Sequence, residues 1–182
     1  MKIRLVKDED YAAVARLHRQ TIRNVNSKDY PEDIIHVWSS RTNAERFRGN
    51  ADKCKRWVAI QNNKLSTNAR IILGRCQQLL ASTRAIFKFL YNKIIGFCDH
   101  SLDGEFWGLY VHKDYIGKGV GSRLLKTAED SLKKSGFKKV GLKATITAKD
   151  FYKKHGYRVI KKTFHPIKDK KLLIFLMSKN FF

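Results

Sequence analysis

The fold is indicated most clearly by residues 104–134, GEFWGLYVHKDYIGKGVGSRLLKTAEDSLKK. From Phe106 to Val111 most residues are aromatic or β-branched, which favours a half-buried strand. Three glycines follow within five residues, and from Val120 onward the apolar residues recur at the spacing of an amphipathic helix. The stretch therefore predicts a strand, a glycine-rich turn and a helix, in that order.

The glycine-rich turn predicts an anion site. Gly117, Gly119 and Gly121 carry no side chain, so backbone N–H groups can approach a ligand closely there. The free N–H groups of a first helical turn and the positive end of the helix dipole both favour a phosphate. The spacing G-x-G-x-G matches neither the P-loop nor the G-x-G-x-x-G dinucleotide fingerprint. A purely structural turn is the alternative interpretation of the glycines alone.

Two further motifs lie before and after this turn. A strand ending in Leu109-Tyr110-Val111 precedes the run Ile116-Gly117-Lys118-Gly119-Val120-Gly121, and residues 148–157 read AKDFYKKHGY. Together they resemble the GNAT superfamily of acetyl-CoA-dependent N-acetyltransferases, whose motifs are R/Q-x-x-G-x-G/A after a strand and A-x-x-F-Y-x-x-x-G-F/Y on a later short helix. The chain departs from the family pattern at Ile116, where Arg or Gln is usual, and at Thr145, where Asn is frequent.

The resemblance implies an α/β fold with a mixed, mostly antiparallel central sheet flanked by helices. A chain of 182 residues is long enough for one domain with a sizeable core, so we expect a single N-acetyltransferase domain over residues 1–182. The pattern predicts a strand at residues 3–6, then a helix that Asp8 caps and that runs to about Asn24, a second that opens at Tyr30-Pro31 and a short third from Asn43 to Arg48. Two final strands are predicted on either side of a link at residues 166–169.

The resemblance also implies the ligands. Acetyl-CoA is the expected co-substrate, with its diphosphate on the backbone amides from Ile116 to Ser122 and its carbonyl oxygen on an amide of residues 109–111; no metal is expected. The predicted cofactor-binding residues are Leu109, Tyr110, Val111, Ile116, Gly117, Lys118, Gly119, Val120, Gly121, Ser122, Thr145 and Lys149.

Acetyl transfer to an amine requires a base, because an amine with a pKa of about 10.4 is neutral in only about one molecule in 2,500 at pH 7. Glu105, at the start of the fourth strand, is the candidate general base through a water molecule, and Asp99 and His100 are weaker candidates. An ordinary exposed turn carboxylate is the alternative interpretation of Glu105. Tyr152 matches the general acid of the family, which protonates the departing CoA sulfur, although a structural tyrosine could occupy the same helix face.

The acceptor implied by the resemblance is a primary amine of a small molecule, a peptide or a protein. In the family the early helices form one wall of the acceptor groove. Tyr30, His36 and Trp38 are therefore candidates for substrate contact, with core or rim positions as the alternative. The sequence does not specify the oligomeric state, for which a monomer or a homodimer is expected.

A segment at residues 65–92 interrupts a predicted hairpin between strands at residues 56–61 and 93–99. It contains four basic and no acidic residues, and its apolar residues recur at helical spacing. A connection of this length without structure of its own is unusual in a compact domain. We interpret it as a helical insertion in the β2–β3 hairpin; an arm that binds RNA or another copy of the chain is the alternative.

The formal net charge of +22 is the most unusual global property of the chain. A lysine-rich, solvated surface explains it, but so does an acidic partner, either the CoA phosphates or RNA. Two alternative functions therefore stay open: a basic GNAT protein that acetylates aminoacyl-tRNA, and a domain that binds acetyl-CoA without turnover. The sequence shows no recognisable RNA-binding module, so nucleic acid is a partner on charge alone.

Cysteine usage and hydropathy favour a cytoplasmic protein. Cys54, Cys76 and Cys98 are an odd set without a C-x-x-C motif, which is typical of reduced thiols rather than of a disulfide framework. The N-terminal residues MKIRLVKDEDY become charged before any apolar run, so no signal peptide is expected. No run of 18 apolar residues occurs, so no membrane span is expected either.

Overall fold

The computed structural model describes residues 1–62 and 92–181. The strands are β1 (Lys2–Leu5), β2 (Cys54–Asn62), β3 (Asn92–Ser101), β4 (Glu105–Val111), β5 (Lys139–Thr145), β6 (Arg158–Ile167) and β7 (Lys170–Asn180). The α-helices are α1 (Tyr11–Asn24), α2 (Glu32–Ser40), α3 (Ala44–Arg48), α4 (Val120–Lys134) and α5 (Lys149–Lys154). The insertion predicted at 65–92 lies outside the described residues except for Asn92, which begins β3.

The described strands form one sheet in the order β1-β2-β3-β4-β5-β7-β6. Every neighbouring pair is antiparallel except β4 and β5, which are parallel. The predicted mixed, mostly antiparallel sheet with flanking helices is therefore confirmed. The β2–β3 pairing runs from Cys54 opposite Ser101 to Asn62 opposite Asn92, so residues 63–91 connect adjacent ends of two paired strands.

The parallel strands β4 and β5 separate soon after they begin. Their pairing consists of Glu105 opposite Gly141 and Phe106 opposite Leu142. Beyond Phe106, β4 remains paired with β3 on its other side up to Val111. The edge of β4 that faces β5 is therefore open from Trp107 to Val111, and a cleft forms between the two strands.

Helices pack on both faces of the sheet and fix this cleft between them. On one face α4 buries an apolar stripe that includes Val120, Leu124 and Leu132 against β3, β4 and β5. Gly96 of β3 permits this packing, because a Cβ atom there would lie 2.9 Å from Leu124 Cδ1. On the other face α1 packs on β2 and β3, while α2 and the end of α1 pack on β7.

Two predicted boundaries are wrong for local reasons. A 3₁₀ turn occupies Asp8–Asp10, and α1 begins at Tyr11 rather than at Asp8. Asp10 accepts a hydrogen bond from the backbone of Lys7 (2.7 Å), whereas Asp8 pairs with Arg48 (2.7 Å). In the predicted link at residues 166–169, Pro166 and Ile167 belong to β6 instead. Among the described helices, none is long and apolar enough to cross a bilayer.

Candidate active site

Two cavities meet where β4 and β5 separate. The smaller, of about 400 Å³, lies between the start of α4, the start of α5 and the open edge of β4. The larger, of about 580 Å³, lies between the α2–α3 region, β4 and the final strands. Both are lined by the same five residues, which form their common boundary: Trp107, Gly108, Tyr110, Lys143 and Thr145. Groups bound in the two cavities can therefore come close to one another only at this boundary.

The glycine turn provides the polar end of the smaller cavity. Gly117 and Gly119 have φ angles of 77° and 76°, a conformation that L side chains rarely adopt, and a Cβ at either position would meet no atom within 4 Å. The open space in front of them faces the start of α4. Among the described residues, no protein acceptor is present for the backbone N–H groups of Gly117, Gly119, Val120, Gly121 and Ser122. These donors and the helix dipole favour an anion here.

The amides of Ile116 and Lys118 differ from this set. Each donates a long turn hydrogen bond of 3.4 Å, to the carbonyls of Lys113 and Tyr115 respectively. The predicted anion site from Ile116 to Ser122 therefore has its free donors at Gly117 and at residues 119–122.

A short network from α5 supports the first turn of α4. The Phe151 ring lies against Gly121, where a Cβ would be 3.2 Å from Phe151 Cε2. His155 Nδ1 is 2.8 Å from the Phe151 carbonyl oxygen, and its Nε2 is 2.9 Å from Ser122 Oγ. A carbonyl oxygen can only accept, so Nδ1–H donates to it, and in the neutral ring Nε2 accepts from the Ser122 hydroxyl. Residues of the motif at 148–157 thus hold the first turn of α4, which belongs to the glycine motif, in place.

Nine of the twelve predicted cofactor-binding residues line the smaller cavity: Leu109, Tyr110, Val111, Ile116, Gly117, Gly119, Gly121, Ser122 and Thr145. The structure places three elsewhere. The Val120 side chain is buried in the core beneath α4. The Nζ atoms of Lys118 and Lys149 lie over the rings of Tyr115 (5.5 Å) and Phe175 (5.0 Å).

Several lining residues were not predicted from the sequence. Asn26, which follows α1, lines the smaller cavity, and its Nδ2 is 3.3 Å from Thr147 Oγ1. The two residues are 121 positions apart in the chain, and no motif links them. Thr21, Val25 and Phe151 also line this cavity. Only Phe151 had a sequence signal, its position in the F-Y pair of the second motif.

Tyr152 lies in the wall of the smaller cavity and is 4% exposed. Its ring makes edge contacts with those of Phe106 (6.2 Å) and Tyr157 (5.5 Å). Burial raises the pKa of its phenol well above the ordinary value of 10, and the neighbouring Tyr110, Cys98 and Asp99 act in the same direction. The phenol is therefore protonated at neutral pH and can donate a proton to an atom in the cavity.

The larger cavity contains the predicted base candidates Glu105 and Asp99. Glu105 Oε1 is 2.9 Å from Lys143 Nζ, and its side chain is 42% exposed, so water reaches it. Asp99 is buried and paired with Arg56. His100 is also buried, with its ring nitrogens on Ser101 O (2.7 Å) and Ser131 Oγ (3.0 Å), and it lines neither cavity.

Of the three residues predicted to contact an acceptor, Trp38 lines the larger cavity. Tyr30 is buried instead, where its hydroxyl donates to Leu173 O (2.6 Å) and accepts from Ile146 N (2.8 Å). His36 is exposed on α2 and outside the cavity lining. Over the described ranges, no group of three or more His, Cys, Asp or Glu side chains could hold a metal ion.

Part of the chain matches a known family model. Residues 79–159 match the family model described as the acetyltransferase (GNAT) domain. This part of the chain is therefore similar to GNAT acetyltransferases. No curated protein matches the sequence significantly.

Solved structures share the fold at low sequence identity. A GCN5-related N-acetyltransferase from Rhodopseudomonas palustris superimposes with a TM-score of 0.77 at 21% identity, covering 99% of this chain and 95% of that one. The PaiA N-acetyltransferase from Thermoplasma acidophilum, in complex with coenzyme A, gives a TM-score of 0.66 at 20% identity and full coverage of both chains (100% each). The NatC complex bound to a Gag peptide and coenzyme A gives 0.59 at 14% identity, also with 100% of each chain covered. At these identities the likeness establishes the fold.

Proposed function

We propose that the protein transfers the acetyl group of acetyl-CoA to a primary amine of a small-molecule or peptide acceptor, by direct attack within a ternary complex. The observation that carries the proposal is the pair of cavities that meet at the open edge of β4. Two substrates can approach from opposite sides and meet at one boundary, which direct transfer requires. The solved relatives with coenzyme A, one of them also with a peptide, support the same arrangement.

The smaller cavity suits the coenzyme. Its free amides at the start of α4 offer donors for a diphosphate, and the absence of side chains at Gly117 and Gly119 leaves room for it. The edge of β4 from Trp107 to Val111 offers backbone groups to an extended chain that lies along the cleft, including an N–H donor for a thioester carbonyl. In this proposal Lys118 and Lys149 contribute charge near the phosphates rather than direct contacts.

The larger cavity suits the amine, and the side chains on the two sides have distinct roles. The acceptor nitrogen forms a bond to the thioester carbonyl carbon, and the carbon–sulfur bond then breaks. Tyr152 donates its phenolic proton to the departing sulfur and regains one from solvent. Glu105, exposed beside Lys143, takes the proton that the nitrogen loses, through a water molecule. The products are an N-acetylated amine and coenzyme A with a free thiol.

Calorimetric titration with acetyl-CoA, followed by thiol release in the presence of an amine panel, tests the proposal. The panel comprises phenylethylamine, alanine amide and a lysine-containing tripeptide. We expect one binding event per chain and thiol release that depends on both substrates. Binding without release over this panel would favour a domain that binds acetyl-CoA without turnover, and the absence of binding would refute the proposal.

The net charge of +22 favours a second candidate, acetylation of aminoacyl-tRNA. A tRNA acceptor would bind through its phosphates, so its affinity would fall steeply with salt. Acetylation of an aminoacyl-tRNA at low salt, without turnover of the free amine panel, would select this candidate. A cytoplasmic location is part of either proposal, since Cys54 and Cys98 are free thiols.

A further inference from the structure

Asp99, on β3, places a carboxylate in the wall of the larger cavity although it is only 4% exposed. Its Oδ2 atom is 2.8 Å from Arg56 Nε and 2.7 Å from Arg56 Nη2. Arg56 is itself held in place, because its Nη1 donates to Phe47 O (3.0 Å) and its guanidinium lies 4.8 Å from the Phe47 ring centroid. The carboxylate is therefore fixed on one side by a rigid partner.

The second carboxylate oxygen, Oδ1, has no such partner. It accepts no hydrogen bond from any side chain or backbone group in the described part of the chain. It is also not among the buried polar atoms that are sealed away from solvent without a partner; among the described side chains Tyr157 Oη alone has that status. A carboxylate oxygen that faces a cavity without a donor is a site for a donor from a ligand.

Gly108 shows where this oxygen points. It lies directly opposite Asp99 in the β3–β4 pairing. A Cβ atom on Gly108 would lie 3.5 Å from Asp99 Oδ1 but only 2.8 Å from Tyr110 Cε2, so the missing side chain makes room for the Tyr110 ring, and Oδ1 lies beside the Gly108 backbone. Gly108 lines both cavities. A group bound to Oδ1 therefore lies next to the boundary at which the two substrates must meet.

The surroundings of Asp99 suit a nitrogen that donates a hydrogen bond. Removal from water lowers the pKa of an amine, while contact with the carboxylate of Asp99 raises it. Arg56 weakens this effect of the carboxylate, because the Asp99–Arg56 pair has no net charge. Burial raises the pKa of Asp99 itself, while Arg56 opposes this change. Glu105, in contrast, is already paired with Lys143 and is exposed, so the two carboxylates of the cavity have different environments.

We propose that Asp99 Oδ1 binds the amino group of the acceptor, so that Asp99 selects acceptors with an N–H donor and directs their nitrogen toward the smaller cavity. The proposal rests on the proposed function, because it assigns a partner to the amine substrate of that reaction. Asp99 is thereby a specificity-determining residue. Glu105 accepts the proton that the acceptor nitrogen loses.

Asp99→Asn tests the proposal with little change in shape. Because Arg56 has only donors, the Asn oxygen remains toward it, and Nδ2 then replaces the accepting Oδ1. The hydrogen bond to the amine is lost, so we expect KM for the best amine of the panel to rise roughly 10- to 100-fold. The Kd for acetyl-CoA should stay unchanged.

Asp10→Asn is the matched control. Asp10 is a second buried Asp–Arg pair, with Arg4 at 2.6 Å and 3.0 Å from its two oxygens, and it lines neither cavity. It should lose comparable stability without a change in KM. An unchanged KM in Asp99→Asn, or an equal rise in Asp10→Asn, would overturn the role of Asp99.

A measurement on the wild-type protein covers the case in which Asp99→Asn does not fold. The best panel amine and its analogue with a methyl group in place of the amino group are compared as ligands of the acetyl-CoA complex. Weaker binding of the methyl analogue supports the proposal, and equal binding contradicts it. If the wild type binds no acetyl-CoA or acetylates no amine, the proposed function itself fails, which is a different outcome.

Discussion

At the residue scale, burial decides the protonation state of the side chains on both sides of the β4–β5 cleft. Burial raises the pKa of Tyr152, so its phenol is protonated at neutral pH. In the larger cavity, burial together with the charges of Arg46 and Arg56 lowers the pKa of His18 to about 3. His18, whose Nδ1 is 2.8 Å from Thr42 Oγ1, is therefore a neutral hydrogen-bonding group and not a base at neutral pH.

Tyr152→Phe removes the proposed proton donor and keeps the ring that packs on Phe106 and Tyr157. We expect kcat at neutral pH to fall roughly a hundredfold, which is typical for the loss of a general acid. The Kd for acetyl-CoA, measured by calorimetry, should change little. A variant with an unchanged kcat would remove Tyr152 from the mechanism.

The pH dependence of kcat provides a second check on Tyr152. The protonated phenol is the active form and is present below its pKa, so the raised pKa extends this form to higher pH. We expect no loss of kcat between about pH 8 and the ordinary tyrosine pKa of about 10 through ionisation of Tyr152. An alkaline decline in that range that is present in the wild type and absent in Tyr152→Phe would contradict the assignment.

At the element scale, the site is produced by the ends of secondary structure. The turn before α4 exposes amides because Gly117 and Gly119 adopt positive φ. The open edge of β4 exists because β5 pairs with it only at its start. Helix α5 then closes the smaller cavity and fixes Ser122 through His155. The turn, the open strand edge and helix α5 each form locally, but the sheet is what brings them next to one another.

Gly119→Ala tests the turn that we propose binds the diphosphate. Alanine at positive φ costs about 1–2 kcal/mol of stability, and its Cβ enters the open space before the helix. We expect the affinity for acetyl-CoA to fall by roughly tenfold or more, or about 1.4 kcal/mol. Calorimetry measures the affinity, and thermal unfolding measures the stability.

Gly136→Ala is the control for this change at the other end of α4. Gly136 also has positive φ (87°) and no atom within 4 Å of a Cβ, so its stability loss should be similar. Its affinity for acetyl-CoA should equal that of the wild type. If both variants lose affinity equally, strain in α4 and not the anion site explains the effect.

At the scale of the whole molecule, the charge of +22 acts on every anionic ligand. Paired carboxylates neutralise some cations, as at Lys143 with Glu105 and Lys179 with Glu129 (2.9 Å each). There are 38 basic residues against 16 acidic ones, so most cations have no carboxylate available. The surface therefore attracts phosphates at long range in addition to the specific donors at α4.

This attraction predicts a salt dependence of acetyl-CoA binding. As the Debye length falls from about 10 Å at 0.1 M to about 3 Å at 1 M salt, the affinity should decline severalfold. S-acetylpantetheine lacks the diphosphate, so its binding should be nearly independent of salt. Calorimetry at both salt concentrations compares the two ligands. An affinity for acetyl-CoA that is unaffected by salt would show that surface charge does not contribute.

The sequence by itself predicted the strand, glycine turn and helix at residues 104–134, because periodicity and glycine content act over a few neighbouring residues. It also predicted nine residues that line the smaller cavity, since they belong to one contiguous motif and to Thr145. It also predicted Val120, whose side chain the helix phase turns into the core, while its backbone N–H has no protein acceptor among the described residues.

Which residues contact each other across strands and helices could be read only from the three-dimensional structure. The pairing of Asp99 with Gly108, the ion pair of Asp99 with Arg56 and the approach of Asn26 to Thr147 depend on strand register and helix packing. The partners of the last two pairs are 43 and 121 positions apart in the chain. A shift of one residue in register would reverse the faces of a strand. Local patterns thus determined the elements and the glycine motif of this protein. The larger cavity, which is assembled from distant segments, depends on how those elements pack.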